Sequence, residues 1–177
     1  MTEVRRLLDL KVRQSRCAAL MPRLRSDLAE ILKAPEGAIA FADLERSDRV
    51  LAEFRNRWRE ARSKDGPLEW HLDLTAEAQF PVQEALEEVR SRLPQGPLLL
   101  FRAQSEWCGA VLLTLNEIVN HAFELLELDQ EDIIATDEPG TCGLTIQFVT
   151  DGAPVGHYEV FAWLRRPEPE VDPARGA

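Results

Sequence analysis

The sequence predicts an α+β protein, with helices toward the N-terminus and an antiparallel sheet toward the C-terminus. Apolar residues recur at helical spacing through the first third of the chain, and the period changes to two after Asp129. The length of 177 residues suits one compact domain with a substantial core and is cramped for two. We therefore expect one domain, made of a helical region at 1–66 and an α+β region at 67–164, followed by a disordered tail at 165–177.

The helical region is predicted to contain three helices. Apolar residues share one helical stripe across residues 2–20 and another across Leu24–Leu32, so we expect two helices joined at Pro22. Pro35–Gly37 then ends the second helix, because proline and glycine are the strongest local breakers. A third helix is expected from about Asp43 to Ser63.

The first part of the α+β region is predicted to alternate strands and helices. Leu68–Leu74 alternates well enough for a short strand, and Pro81 suits the first turn of a helix that reaches about Leu93. The apolar run Pro97–Ala103 predicts a buried strand. Apolar residues then step by three or four positions from Trp107 to Leu125, which predicts one long amphipathic helix.

The last part of the chain is predicted to form a three-strand antiparallel meander. Strands are expected at Ile133–Ile134, Gly143–Thr150 and His157–Leu164, where the period is two. Turn residues at Asp151–Gly152 and Pro154–Gly156 connect the last two strands. The predicted order is therefore N-terminal helices, a strand, a long helix and the meander.

The charge of the chain is unevenly distributed. Residues 1–66 hold 15 Lys+Arg against 11 Asp+Glu, a net charge of +4, whereas residues 67–177 hold 6 against 20, a net charge of −14. No lysine or arginine occurs from Ala103 to Leu164, where 11 residues are acidic. Such a surface repels nucleic acids and anionic membranes and attracts cationic partners. We therefore expect a cationic protein partner, and neither a nucleic acid nor a membrane.

Arginines recur along the third predicted helix, from Arg46 to Arg62. Acidic residues such as Glu53 and Glu60 lie between them. This pattern is typical of a solvated helix face with local ion pairs, so we do not interpret it as a nucleic-acid site.

Targeting and cysteine patterns predict a cytoplasmic protein. The first residues mix charges into an apolar period and no long apolar run follows, so we expect no signal peptide and no membrane span. Cys17, Cys108 and Cys142 are odd in number and widely spaced, which favours reduced thiols over a disulfide framework or a zinc knuckle. The sequence has no P-loop, G-x-G-x-x-G turn, G-x-S-x-G elbow or H-E-x-x-H helix, and we expect no cofactor.

One catalytic alternative combines Cys108 with His157. A cysteine near the start of a helix gains thiolate character, and a histidine at the start of a strand could act as its base. The stretches Gln104–Gly109 and Gly156–Val160 resemble papain-like and transglutaminase-like peptidases, which share this order of cysteine and histidine. The resemblance implies a cysteine-dependent hydrolase, although no clear Asp or Asn follows to orient the histidine.

A metal alternative is formed by Glu117, His121 and Glu124, which the predicted long helix brings to one flank. Imidazole and carboxylates bind divalent ions, but structural sites need a fourth ligand and supporting hydrogen bonds. E-x3-H-x2-E is not a recognised zinc signature, so we expect no metal.

The stretch Glu131–Trp163, which follows an acidic helix, resembles the end of small bacterial immunity proteins of polymorphic-toxin and contact-inhibition systems. These α+β proteins often finish in a short meander that closes on a Tyr/Glu/Trp strand, and the likeness is confined to the C-terminal third of the chain. The resemblance implies a non-enzymatic inhibitor that covers the active site of a basic toxin domain, and that mimics a polyanionic substrate where the toxin is a nuclease.

The acidic helix and the meander supply the predicted contact residues. The helix lacks the lysines that usually pair with glutamates four positions away, so its carboxylates repel each other and a cationic partner would offset that cost. Electrostatic steering and aromatic anchors are typical of such interfaces. The expected contact residues are the acids Glu117, Glu124, Glu127, Asp137, Glu138 and Glu159, with Tyr158 or Trp163 as anchors.

The sequence thus supports three functional hypotheses. The first is a protein-binding module with an acidic surface, which the resemblance narrows to an immunity-type inhibitor of a basic toxin. The second is a cysteine-dependent hydrolase that uses Cys108 and His157. The third is a structural or oligomerising protein built on the N-terminal helices at residues 1–34.

Overall fold

The computed structural model describes residues 3–63, 68–129, 132–150 and 156–166. Within these ranges it contains helices and one seven-stranded antiparallel sheet, which confirms the predicted α+β class. The helices are α1 (Glu3–Leu32), α2 (Leu44–Ser63), α3 (Gln79–Arg92), α4 (Ser105–Cys108), α5 (Leu115–Asn120) and α6 (Ala122–Asp129), with a short 3-10 helix at Glu36–Ala38. The strands are β1 (Ala40–Phe41), β2 (Leu68–Ala76), β3 (Pro97–Phe101), β4 (Val111–Thr114), β5 (Ile133–Thr136), β6 (Cys142–Val149) and β7 (His157–Arg165).

Neighbouring strands in the sheet are antiparallel and follow the order β1-β4-β3-β5-β6-β7-β2. The predicted meander is β5-β6-β7, in which each strand pairs with the next along the chain. The meander lies inside a larger sheet, because β5 also pairs with β3 and β7 also pairs with β2. The two edges differ in length, since β1 has 2 residues and β2 has 9.

Helices cover both faces of the sheet. Side chains alternate along a strand, so Leu98 of β3 joins a core cluster with residues of α1, α3, α5 and α6, whereas Leu99 packs with Val50 of α2 on the opposite face. Further along α2, Phe54 packs against Trp163 of β7, with ring centroids 5.4 Å apart. The sheet is therefore the middle layer, with α2 on one side and α1, α3, α5 and α6 on the other.

The prediction of two helices joined at Pro22 is wrong, because α1 continues through the proline. Proline inside a helix removes one backbone hydrogen bond and crowds the preceding turn, at a cost of about 3 kcal/mol. Contacts on both sides of Pro22 hold the helix to the body, since Leu28 is fully buried and Arg13 pairs with Asp48 at 2.7 Å. The helix end predicted near Pro35–Gly37 is confirmed, and a 3-10 turn follows it.

The predicted long helix between Trp107 and Leu125 is also wrong. Gly109 follows α4 with a φ of 82°, and a Cβ at this position would overlap the carbonyl oxygen of Ala42. The chain then forms β4, which pairs with β3, and α5 and α6 follow with a break at His121. The apolar period misleads here because a short buried strand and a buried helical turn cannot be told apart by spacing alone.

The other predicted elements of the described chain are confirmed, with small shifts at their ends. α2 begins directly after Asp43, whose carboxylate accepts a hydrogen bond from the Arg46 backbone N–H at 2.8 Å, as an N-cap does. β2 extends to Ala76, and α3 holds Pro81 in its first turn. Local capping and turn residues thus predict the ends of these elements well.

Two predictions fall partly outside the described residues. Arg165 belongs to β7, and residues 167–177 of the predicted tail are not described. The connection predicted at Asp151–Gly152 and Pro154 is not described either. Among the described helices, none combines the length and the apolar composition needed to cross a membrane.

Candidate functional site

The predicted contact residue Glu138 lies in the turn after β5, where it meets α2. Its carboxylate is 2.7 Å from Arg46 Nη2 and 2.8 Å from Arg49 Nη2. The hydrogen bond from Arg46, assisted by that from Arg49, lowers the pKa of the Glu138 carboxyl below its ordinary value. The charge of Glu138 is therefore offset by arginines of the protein itself.

Glu159 on β7 is held similarly by the C-terminal end of α2. Its carboxylate lies 3.6 Å from Arg62 Nη2 and 3.4 Å from His157 Nε2. Arg62 also lies over the ring of Phe161, with its Cζ 5.2 Å from the ring centroid. The arginines of α2 thus extend beyond the local ion pairs that the sequence predicts and reach the sheet.

Two further predicted contact residues have structural roles. Glu117 closes a capping box at the start of α5, because its carboxylate accepts from the Thr114 N–H at 2.7 Å while Thr114 Oγ1 accepts from the Glu117 N–H at 3.2 Å. Asp137 accepts hydrogen bonds from the Thr141 hydroxyl and the Cys142 N–H in the turn between β5 and β6. The fold itself therefore uses both carboxylates.

The prediction of Trp163 as an anchor is wrong, because the side chain is fully buried. Its ring packs against Phe54 of α2 and Phe161 of β7, with centroid distances of 5.4 and 5.8 Å. A Cβ at Gly143 on β6 would overlap this ring, so the glycine makes room for it. Trp163 is a core residue between the sheet and α2.

The structure does not bring Cys108 and His157 together. Cys108 is 5% exposed on the α1 side of the sheet, with its Sγ 3.9 Å from the Cys17 carbonyl oxygen. Burial, followed by the neighbouring Cys17 thiol, raises the pKa of the Cys108 thiol to about 12, which opposes thiolate formation. His157 instead contacts Glu159, on the α2 side of β7. Cys108 ends α4, just before β4, and His157 begins β7. Four strand positions, or about 19 Å at the usual strand spacing, separate β4 from β7. This geometry contradicts the hydrolase alternative.

The metal alternative also lacks geometric support. Glu117 belongs to the capping box of α5, and His121 forms the break before α6, so the two do not share one continuous helix with Glu124. In the part of the chain that the structure describes, no three His, Cys, Asp or Glu side chains are grouped so that they could hold a metal ion. His121 is a half-buried residue at a helix junction.

The remaining predicted residues include Glu127 and Tyr158, which line one pocket at the end of the sheet. The pocket has a volume of about 470 Å³ and lies where α3, α6, β6 and β7 meet. None of its described lining residues is basic, so its chemistry comes from aromatic rings, a hydroxyl and one carboxylate. The other lining residues are Gln79, Phe123, Leu126, Phe148 and Thr150.

Three aromatic rings form the wall of this aromatic pocket. Tyr158 and Phe148 are directly opposite each other on β7 and β6, with centroids 4.9 Å apart, and Phe123 meets Tyr158 edge-on at 5.7 Å. Gln79 Nε2 donates a hydrogen bond to the Tyr158 hydroxyl at 3.2 Å. Phe148 is 49% exposed, and a Cβ at Gly156 would overlap its ring. The glycine therefore leaves room for Phe148 at the pocket.

Glu124 and Glu127 are both exposed on α6, and neither forms an ion pair with a described residue. Glu127 follows Phe123 by four positions, which places both on one flank of the helix and at the aromatic pocket. Glu124 does not line the pocket. Aromatic faces attract cations with about 0.5–2 kcal/mol, and a nearby carboxylate adds a direct charge partner.

Sequence reasoning finds Glu127 and Tyr158 but misses the other two aromatic rings. Strand alternation places Phe148 on the same face as the buried Leu144 and Ile146, with no sign that the strand end lies beyond the core. Phe123 falls inside the predicted long helix, and the break before it is visible only in the structure.

No protein-family model matches the chain, and comparisons with curated proteins and with solved structures give no match.

Proposed function

We propose that the protein is a protein-binding module that accepts a cationic side chain of its partner in the aromatic pocket, beside Glu127. One observation carries the proposal. Three aromatic rings and an exposed carboxylate without an ion pair among the described residues line an open pocket. Apart from Gln79, the described lining residues belong to the stretch from Ala103 to Leu164, which contains no lysine or arginine.

Arginine is the partner side chain that suits the pocket chemistry best. Its planar guanidinium group stacks on aromatic faces and also donates hydrogen bonds to a carboxylate, whereas the lysine ammonium is a compact and strongly hydrated charge. The Tyr158 hydroxyl and the Glu127 carboxylate are acceptors at the pocket. A guanidinium group inserted there would meet both aromatic and acidic partners.

The charge around the pocket supports fast association with a basic protein. Glu124 is exposed one turn before Glu127, and the chain carries a net charge of −10. Complementary charge raises association rates and is weakened by salt, because mobile ions screen exposed groups. We therefore expect association that slows as ionic strength rises.

Within this function, we propose that the partner is a basic toxin domain and that the protein acts as its immunity-type inhibitor. The support is the resemblance of Glu131–Trp163 to the end of such inhibitors, together with the acidic net charge. An arginine held in the aromatic pocket would be a residue of the toxin, so the inhibitor would cover a basic surface.

The chain offers a direct reporter for the first proposal, because Tyr158 is its only tyrosine. Protein labelled with 3-fluorotyrosine should give one fluorine resonance, from the aromatic pocket. Titration with arginine amide should shift this resonance to saturation. Citrulline amide, whose side chain has a similar shape but no positive charge, should not. Fluorine NMR measures both.

Glu124 provides the matched control for Glu127, since both are exposed on α6 and only Glu127 lines the pocket. Glu127→Gln should weaken arginine amide binding about two- to fivefold, the range of an exposed ion pair. Glu124→Gln should leave it nearly unchanged. Equal shifts with citrulline amide, or equal effects of the two substitutions, would contradict the proposed site.

The narrower proposal has a separate test in cells. Each gene adjacent to that of the protein is expressed alone, with the unaltered protein and with its Glu127→Gln variant, and growth is measured. Protection by the unaltered protein, reduced by the substitution, is the expected result. Absence of protection would reject the immunity role and leave arginine binding at the pocket to be judged by its own experiment.

A further inference from the structure

The two edges of the sheet are protected to different degrees. β1 has only 2 residues, and a very short edge strand is one way in which proteins prevent edge-to-edge pairing. β2 has 9 residues and pairs only with β7 in the described structure, so its outer backbone groups face away from the sheet. Its one irregularity is at the first pair, between Leu68 and Trp70. From Trp70 to Ala76 the strand edge is regular and is available for pairing.

The apolar side chains on one face of β2 are only half-covered, because no described strand lies beside them at the outer edge. Trp70, Leu72 and Leu74 are half-buried and pack at the border of the main core, on the side of α3. The alternate residues His71 and Asp73 are exposed on the other face. One more strand beside β2 would extend the core row and give the exposed residues cross-strand partners.

We infer that this partner strand is β2 of a second copy, which pairs antiparallel about a two-fold axis at Leu72. The axis at Leu72 is the one that overlaps all 9 residues of the strand, because Leu72 is its central residue. It places His71 opposite Asp73 of the second copy, and Asp73 opposite His71. It also places Trp70 opposite Leu74 on the apolar face. The inference is independent of the aromatic pocket and of its ligand.

Neighbouring registers lack this complementarity. An axis at His71 would place Glu69 opposite Asp73 of the second copy, and an axis at Asp73 would place two copies of Asp73 opposite each other. Like charges directly opposite across strands are destabilising. Of these three registers, the one that overlaps the whole strand is therefore the one without opposed like charges.

The helix layer is compatible with this pairing. α3 packs against both β2 and β7, so it lies near the line between them. With strands about 4.8 Å apart, the two copies of α3 would be about 10 Å apart across the axis, within the usual distance of packed helices. The dimer would hold one continuous sheet with α3 beside its copy at the centre.

The test is the mass of the full chain in solution over a range of concentrations, by sedimentation velocity. The unaltered protein should form a dimer. His71→Asp places like charges opposite each other twice and should raise the dimer Kd about tenfold or more. The combined His71→Asp and Asp73→His substitution exchanges the two residues, restores two His–Asp pairs in this register, and should restore the dimer.

Each outcome decides the inference. Thermal unfolding of the variants checks that both remain folded, as expected for exposed residues. A monomer at every concentration overturns the inference, and so does a dimer that the exchange fails to restore. A dimer that is insensitive to His71→Asp would place the interface elsewhere, for example on α1, where Leu7 and Leu8 are 55% and 63% exposed.

Discussion

The two sides of the C-terminal meander use their acidic residues differently. On the α2 side, Glu138 and Glu159 pair with arginines of α2. On the α6 side, Glu124 and Glu127 have no ion-pair partner among the described residues, and Glu127 borders the aromatic pocket. A single stretch without lysine or arginine therefore produces one surface with offset charge and one that remains acidic.

The difference shows that a charged segment is not the same as a charged surface. Arg46 and Glu138 are 92 positions apart in the chain, yet their side chains form an ion pair. Local charge counts cannot detect such a pair, because it depends on which helix covers which face of the sheet. The aromatic pocket lies on the side of the meander where Glu124 and Glu127 have no arginine partner among the described residues.

The largest expected effect comes from Trp163, the core residue of the α2 side. Trp163→Ala should reduce the free energy of unfolding by about 3–5 kcal/mol, because it leaves a large cavity between the sheet and α2. Urea denaturation measures the loss.

Tyr158→Ala should reduce the free energy of unfolding by less than Trp163→Ala, since Tyr158 is only half-buried, but it should abolish arginine amide binding. Equal stability losses would contradict the contrast between a packed side and a binding side.

Gly143 gives a second test of tight packing on the α2 side. Gly143→Ala should reduce the free energy of unfolding by about 1–3 kcal/mol, because its Cβ would overlap the Trp163 ring. Gly37→Ala is the control, since no atom lies within 4 Å of a Cβ there. An unchanged free energy of unfolding for Gly143→Ala would mean that the Trp163 ring can move aside, so that the layer beneath α2 is not tightly packed.

Gly156 allows the corresponding test on the pocket side. Its added Cβ would overlap Phe148, which is half exposed and therefore free to move aside. Gly156→Ala should change the free energy of unfolding by less than about 1 kcal/mol, as surface substitutions usually do. It should nevertheless shift the fluorine resonance of labelled Tyr158, whose ring contacts Phe148. An unchanged resonance would show that Gly156 does not control the position of Phe148.

The smallest effect is expected from Glu138 and should depend on pH. Its folded-state pKa is lowered, mainly by Arg46, so its contribution to stability is present above the ordinary carboxyl pKa. The stability difference between the unaltered protein and Glu138→Gln should therefore be seen at neutral pH. It should disappear as the pH falls through the lowered pKa. Urea denaturation at several acidic pH values measures it, and a difference that grows on acidification would reverse the assigned sign.

Much of the fold follows from local signals in the sequence. Asp43 predicts the start of α2, and alternation predicts the three strands of the meander. The break at Gly109 is not predictable from periodicity, because the glycine is required by the approach of Ala42, a residue distant in sequence. Thr114 and Glu117 do form a recognisable capping-box pattern, which could have indicated the start of α5.

The candidate site was less accessible to sequence reasoning than the fold. Glu127 and Tyr158 stand out by charge and residue type, but the aromatic pocket requires α6 and the ends of β6 and β7 to meet. Trp163 is equally aromatic and lies five positions after Tyr158, yet α2 covers its face of the sheet. Whether an aromatic side chain is an exposed anchor or a core residue depends on which helix packs over its face of the sheet.

Mapping where a guanidinium group binds tests the aromatic pocket most directly. Backbone amide chemical shifts are measured by NMR while arginine amide is added. The largest changes are expected at Phe123, Phe148 and Tyr158, with little change at Arg46 and Glu138, whose charges are already paired. Changes centred on Glu138 instead, with none at the aromatic pocket, would contradict guanidinium binding at the pocket.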